Sequence, residues 1–381
     1  MAEEPTPMMA QYMGMKSRIP AGAILMFRLG DFYEMFGKDA AEAAPILGVT
    51  LTRRGETPMC GVPWMALDAY LAKLIRAGKT VALCDQTEDP KLAKKLVKRD
   101  ITRIVTPGTV TEDGLVDATA NNWAAAVYGL AAAFLDISTG EFFIETFPSQ
   151  ARLDEALSRY APAETLLPRP DDPAAEAPPG ATFAEAWTFF PDAARETLER
   201  HFKTVSLDGF GIEGDQDAIS AAGALLHYVA ETLRHRADHV RTLRRRQPGD
   251  FLELDGAALR NLAVLPAQGS PRTASILGVL DVSRTPMGAR AIRNRLVRPP
   301  ARPDAVNAFL DAVSFFTDAR STLASVRSSL SGVRDIERLA AKISSGRANP
   351  RDLRALAQSL RAVPEIKAAF EGCGVPASLA D

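Results

Sequence analysis

At 381 residues the chain exceeds what one hydrophobic core supports, so two or three domains are expected. Its 45 basic and 47 acidic side chains nearly cancel, so net charge neither requires nor rules out a polyanionic partner. Cys60, Cys84 and Cys373 lack C-x-x-C spacing, which excludes a disulfide framework or a cysteine zinc site and fits a reducing cytoplasm. The apolar tract 123–135 is too short to cross a bilayer and the N-terminus lacks a signal-peptide pattern, so no membrane association is expected.

Residues 23–29 form a short apolar run closed by Gly30, which reads as a buried strand. Asp31 is a good N-cap for a helix running to Leu47, with Gly48 as its stop. On that helix Phe36, Ala40, Ala43 and Leu47 share a face, and Phe32 falls within about 40° of it, a core position. Glu34 falls nearly opposite. Residues 48–67 are extended and turn-rich. A helix over 68–77, a strand over 80–87, a basic helix over 90–100 and a strand over 101–110 follow. Such alternation is the pattern of a mixed α/β domain, 1–112.

A second α/β unit, 113–250, opens with an apolar hairpin turning near Tyr128-Gly129. It continues with the alternating run 135–147, a helix over 149–161, a Pro- and Asp-rich surface loop over 168–180 and a helix from about 218. Beyond residue 251 the text is helical to the end, with Pro or Gly between apolar-periodic segments.

Charge is unevenly spread. Residues 91–103 hold six Lys or Arg against Asp100, 113–200 carry a net charge of −10, and 234–246 hold six arginines against Asp238. Lys91, Lys94, Lys95 and Lys98 share one side of the basic helix, and Arg53-Arg54 add a second basic point in a turn; both could meet phosphates. A solvated face is the plain alternative. His235 and His239 stand at i, i+4 on an expected helix, but their neighbours are arginines, so no metal site is expected. Asp136 and Glu141 flank a turn and lack the further carboxylates that a two-metal nuclease needs. Neither G-x-x-x-x-G-K-[ST] nor G-x-G-x-x-G occurs.

The segments GDFYEMF, LTRRG, PMCGVP, AYLAKLIRAGKTVALCDQ, RIVTPGTV, LDISTGEF, LDVSRTPMGAR and DIERLAAKI occur in order along the chain. Together they resemble the N-terminal portion of the MutS family of DNA mismatch-repair proteins. The resemblance implies a multidomain α/β plus α fold. A mismatch-binding domain comes first, then a ribonuclease-H-like connector, then the first part of an all-α helical lever. It maps the family's F-x-E mismatch reader onto Phe32 and Glu34, which overturns the core reading of Phe32. Arg53, Arg54, Lys94, Lys95 and Lys98 become candidates for the DNA backbone.

The resemblance further implies a partner duplex carrying mispairs or small loops, and a MutL-type repair protein docking on the connector. The family's clamp and its ATPase, with ATP and Mg, are expected to lie outside these 381 residues, so no enzyme, no cofactor and a monomeric, nucleoid-associated cytoplasmic chain are expected. The alternative is a protein-interaction module with little DNA binding of its own. One departure stands out: where the family commonly has GIPYHA this chain has GVPWMA, with Trp64 and Met65 replacing an aromatic–histidine pair.

Overall fold

The structure, a computed structural model, describes residues 6–88, 97–111, 114–172, 174–233, 237–247, 249–267 and 269–380. Its first part carries α1 (Pro7–Lys16), β1 (Ile24–Leu29), β2 (Phe32–Phe36), α2 (Lys38–Leu47), β3 (Thr52–Arg54), β4 (Thr57–Pro63), α3 (Leu67–Arg76), β5 (Val81–Gln86) and β6 (Arg99–Val105). The six strands form one mixed sheet in the order β3-β4-β2-β1-β5-β6. Helices α2 and α3 cover one face over Ile24, Met26, Tyr33 and Met35. Helix α1 covers part of the other, where Tyr12 packs edge-on against Phe27 and Phe36.

Two sequence expectations are corrected here. Residues 31–36 are not a helix. Leu29 pairs directly with Phe32, so Gly30 and Asp31 form a two-residue hairpin turn. Gly30 stands first, at φ 59°, as a type II′ turn requires. The helix begins only after Gly37, itself at φ 59°. The expected basic helix fails at its C-terminal end: Val97 and Lys98 are not helical and Arg99 opens β6. Lys91, Lys94 and Lys95 lie outside the described residues.

The second part holds β7 (Ala124–Tyr128), β8 (Ala131–Asp136), β9 (Glu141–Thr146), α4 (Gln150–Tyr160), β10 (Glu164–Pro168), β11 (Ala181–Ala184), α5 (Pro191–Phe202), α6 (Gln216–Leu233) and β12 (Arg244–Arg245). Its sheet runs β11-β10-β7-β8-β9-β12, an antiparallel meander extended by parallel strands at both edges. The expected hairpin turns where the sequence placed it, with Tyr128 opposite Ala131. Alanine-rich α6 buries against one face of the sheet and against α5, so closely that a Cβ on Gly223 would stand 2.5 Å from Ala194. The other face packs under α4 around Trp123, Phe134 and Phe143. Residues 237–240 are not helical, so His239 is not on α6, and His235 lies outside the described residues.

Helices α7 (Gly256–Asn261), α8 (Ile276–Leu280), α9 (Pro286–Val297), α10 (Pro303–Asp318), α11 (Arg320–Leu330), α12 (Ile336–Ser344), α13 (Pro350–Ala368) and α14 (Ala377–Ala380) complete the chain. Thr285, Asp335 and Asn349 cap α9, α12 and α13 with their side chains. Two buried arginines tie these helices to the α/β parts. Arg290 holds Asp335 through two bonds of 2.6 and 2.8 Å and reaches the Ala118 carbonyl at 3.0 Å. Arg338 donates to the carbonyls of Asp117 and Ala120 and to Ser138 Oγ. Carbonyl acceptors leave much of the arginine charge in place, and Asp335 supplies the counter-charge.

Candidate nucleic-acid interface

The site is built on strand β2. Side chains alternate across a strand, so Phe32, Glu34 and Phe36 share one face while Tyr33 and Met35 enter the core beneath α2 and α3. Phe36 is sealed under α1, the Glu34 side chain is largely covered, and Phe32, at the hairpin tip, is 48% exposed. The face that is core at one end thus becomes an open aromatic edge at the other.

Strand pairing decides which basic residues join it. Glu34 stands opposite Gly61 on β4, and Arg54 on β3 stands opposite Thr57, four positions along β4 and of the same face parity. Arg54 Nη1 accordingly reaches Glu34 Oε2 at 3.2 Å. Arg53 has the opposite parity and faces Glu56 at 3.8 Å. Only one of the two neighbouring arginines therefore shares the face of Phe32. Burial pushes the Glu34 carboxyl above its ordinary range, and the Arg54 guanidinium opposes that shift.

Beside the tip, β4 passes through Pro63 into a 3-10 turn, Trp64–Ala66. The Trp64 amide donates to the Asp31 carbonyl at 2.9 Å, binding this turn to the hairpin. The indole is part-exposed and lies beneath the Arg28 guanidinium at 4.6 Å, while Met65 is 85% exposed. Phe32, Trp64 and Met65 are thus all exposed at this end of the sheet, Phe32 opposite Pro63 and Arg28 on the other sheet face over the indole. Sequence reasoning noticed Trp64 and Met65 only as departures and passed over Arg28. The signal was a single charged residue, Arg28, within the apolar run 24–29.

Lys98 is exposed, its amide donating to Glu88 Oε1 at 2.8 Å. Arg99 is buried, stacks over Phe27 at 4.9 Å and donates to the Arg28 carbonyl. Lys94 and Lys95 lie outside the described residues.

The other candidates resolve as structural groups. Asp136 is fully buried and accepts from Asn121, Asn122 and both the amide and hydroxyl of Ser138, which organises the β8–β9 turn. Glu141 pairs with Arg246 at 3.1 Å. His239 presents Nε2 to the Ile137 carbonyl at 2.7 Å, and burial holds its pKa below the usual value. Among the described residues no three His, Cys, Asp or Glu side chains converge as a metal site, and no helix is long and apolar enough to cross a membrane.

Comparison with known proteins separates the chain into the same succession of parts. Family models described as MutS domain I, MutS domain II and MutS domain III match residues 6–114, 121–241 and 257–380. The chain belongs to the MutS family. It is 42% identical over 392 aligned residues to the DNA mismatch repair protein MutS of Solibacter usitatus, covering 97% of this chain and 45% of that protein. It is 40% identical to the protein of that name from Phocaeicola vulgatus, covering 95% and 43%. The chain thus spans a little under half the length of these MutS relatives. All of the hairpin, Arg54 and the Trp64 turn fall within the part matched by MutS domain I.

Proposed function

We propose that this chain recognises mispaired bases and small loops in duplex DNA through the β1–β2 hairpin. The observation that carries the reading is the half-exposed Phe32 ring at the hairpin tip, on the same strand face as Glu34 and Arg54. A base presents a π-face whatever its identity, so an aromatic wedge stacks without sequence preference. Entering the stack costs a few kcal/mol, and less where pairing is already defective, so the wedge selects weak steps. Glu34 sits where burial favours its neutral form, and DNA phosphates would favour it further. A neutral carboxyl donates to a base nitrogen or oxygen, whereas an anion repels an intact duplex. Arg54 supplies a cation on this face, and Lys98, Lys94, Lys95 and Arg53 are the remaining candidates for phosphate contact.

The role assigned is recognition, not catalysis: no phosphate-cradling G-x-x-x-x-G-K-[ST] loop occurs in the 381 residues. The reading also takes the chain to act as a monomer in the cytoplasm, on the nucleoid.

Gel-shift titration against a G·T heteroduplex and its homoduplex tests this. Preference for the heteroduplex that disappears in Phe32→Ala is the expected result. Equal affinity for the two duplexes in the unaltered chain would overturn it.

A second reading has its own support. Trp187 and Phe190 are exposed on the acidic second unit, with Trp187 edge-on to His227 at 4.9 Å. Exposed aromatics of this kind suit protein docking, here of a MutL-type repair partner. Partner binding lost in Trp187→Ala, without any heteroduplex preference in the parent chain, would favour it.

A further inference from the structure

Where the second sheet meets the first helices of the C-terminal part lies a cavity of about 650 Å³. Six arginines line it, Arg159, Arg246, Arg260, Arg293, Arg295 and Arg298, and no Asp or Glu does. Two are balanced from behind: Arg298 Nη1 lies 2.5 Å from Glu145 Oε1, and Arg246 Nη2 lies 3.1 Å from Glu141 Oε1. Arg159 has a neutral partner, the Leu254 carbonyl at 3.1 Å. Arg260 and Arg293 make no ion pair or hydrogen bond among the described residues. Arg295 lies over the Phe309 ring at 3.5 Å and likewise lacks a carboxylate.

A second observation points the same way. Arg298 Nε is buried and has no hydrogen-bond partner. Burial also pushes the Arg293 guanidinium below its usual range, with distant Asp117 offsetting part of that effect. A guanidinium such as that of Arg293, partly withdrawn from water without a paired carboxylate, is costly, and the component that would offset the cost is an anion. Their planar donor forks match phosphate oxygens.

Aromatic side chains lie among the arginines, with Arg298 over Phe251 at 4.2 Å. Trp123, Tyr160, Phe251 and Phe309 all face the cavity. Its volume falls within the range of small-ligand sites, and aromatic walls with a few convergent charges are their usual lining. The geometry points to a binding site for a small organic phosphate carrying a flat ring, of the nucleoside monophosphate class, at the junction of the second and third parts of the chain. The ring packs among the aromatic side chains and the guanidinium planes that overlie Phe251 and Phe309, and the phosphate meets Arg260, Arg293 and the free Nε of Arg298. This site shares no residue with the hairpin face and stands or falls separately from the mismatch proposal.

Isothermal titration of the whole 381-residue chain with AMP, adenosine and inorganic phosphate tests it. AMP is expected to bind with Kd roughly 10–500 μM, and adenosine and phosphate at least about ten-fold more weakly. Arg293→Ala should weaken AMP about ten-fold or more, as loss of a charge-assisted contact does. Arg354→Ala, on exposed α13, and Phe32→Ala should leave AMP binding unchanged. Should Arg293→Ala melt early, Arg260→Gln, at an exposed position of the same cavity, carries the same test. No binding up to about 5 mM AMP, equal affinity for phosphate alone, or unchanged affinity in the folded arginine variants would each overturn the assignment.

Discussion

Arg54 and Glu34, twenty residues apart in the chain, meet at 3.2 Å because two antiparallel registers put them on one face of the sheet. The pair sets two opposing influences on one carboxyl. Burial raises its pKa, and the guanidinium lowers it. In Arg54→Ala the Glu34 pKa should therefore rise further, measured by NMR titration of the side-chain carboxyl. A fall, or no change, would show that the ion pair does not act on this group.

The same carboxyl has a signature in stability. A raised folded-state pKa means that the folded chain holds the proton more tightly than the unfolded chain. Relative to Glu34→Gln, the parent should be most stable at acid pH and lose ground as pH rises past the ordinary carboxyl range. Urea titrations of both proteins between pH 4 and 7 check the direction. On DNA, Glu34→Gln keeps a donor and should retain heteroduplex preference, while Glu34→Ala should weaken it. Identical behaviour of the two variants in gel shifts would remove the neutral-donor role.

Phe32→Ala should cost little stability, less than about 1.5 kcal/mol, because nearly half of the ring is already in water. A fully buried Phe→Ala change costs about 3–5 kcal/mol. Denaturant unfolding separates the two cases. A large loss would mean that the ring is part of the core in solution.

His239 makes the second unit sensitive to acid. Its folded pKa is depressed by burial, so the folded chain resists taking up the proton that the unfolded chain accepts near pH 6.5. Stability should be full above that pH and decline as pH falls below it. His239→Gln keeps a donor for the Ile137 carbonyl and should flatten the decline between pH 7.5 and 5.5. An unchanged slope in thermal melts would assign the effect to another group.

Phosphate contacts should be read in salt. Each neutralised phosphate adds about 0.9 to the slope of log affinity against log salt. Three to five contacts predict a roughly forty- to five-hundred-fold loss between 50 and 200 mM salt. Charge reversal of Lys94 and Lys95 should weaken homoduplex and heteroduplex alike, since such contacts position without specifying. A loss confined to heteroduplex would place these lysines at the mispair instead of on the backbone.

Most elements were legible because their periodicity was long or their turns were marked. The Tyr128-Gly129 hairpin, α4, α6 and the helices α9, α10, α12 and α13 follow directly from apolar spacing with Pro or Gly between segments. The stretch that matters most was misread. Asp31 satisfied the rule for a helix cap, and Phe36, Ala40, Ala43 and Leu47 satisfied the wheel. Gly30-Asp31 between two apolar runs was equally the mark of a two-residue hairpin, and Gly37 divides the stretch where the strand ends. The change of period mattered for chemistry: on a helix Phe32 and Glu34 point almost oppositely, whereas on a strand they are same-side neighbours. Short aromatic runs do not distinguish the two periods by themselves, since both leave one face apolar. The α1 helix, β10, β11 and α5 were not anticipated. Nor was the arginine-lined cavity, because its lining comes from segments more than a hundred residues apart.

The two-residue turn at Gly30-Asp31 has a mechanical consequence. With Leu29 already paired to Phe32 and the Asp31 carbonyl fastened by the Trp64 amide, no slack chain remains between the ring and the sheet. On the proposed reading, the wedge arrives ordered, and little entropy is lost in steadying it when it enters a base stack. The protein side of the transaction is then nearly the same at every step of the duplex. What differs from one step to the next is the compliance of the DNA, so the hairpin works as a stiff stylus that registers softness in the helix it presses against.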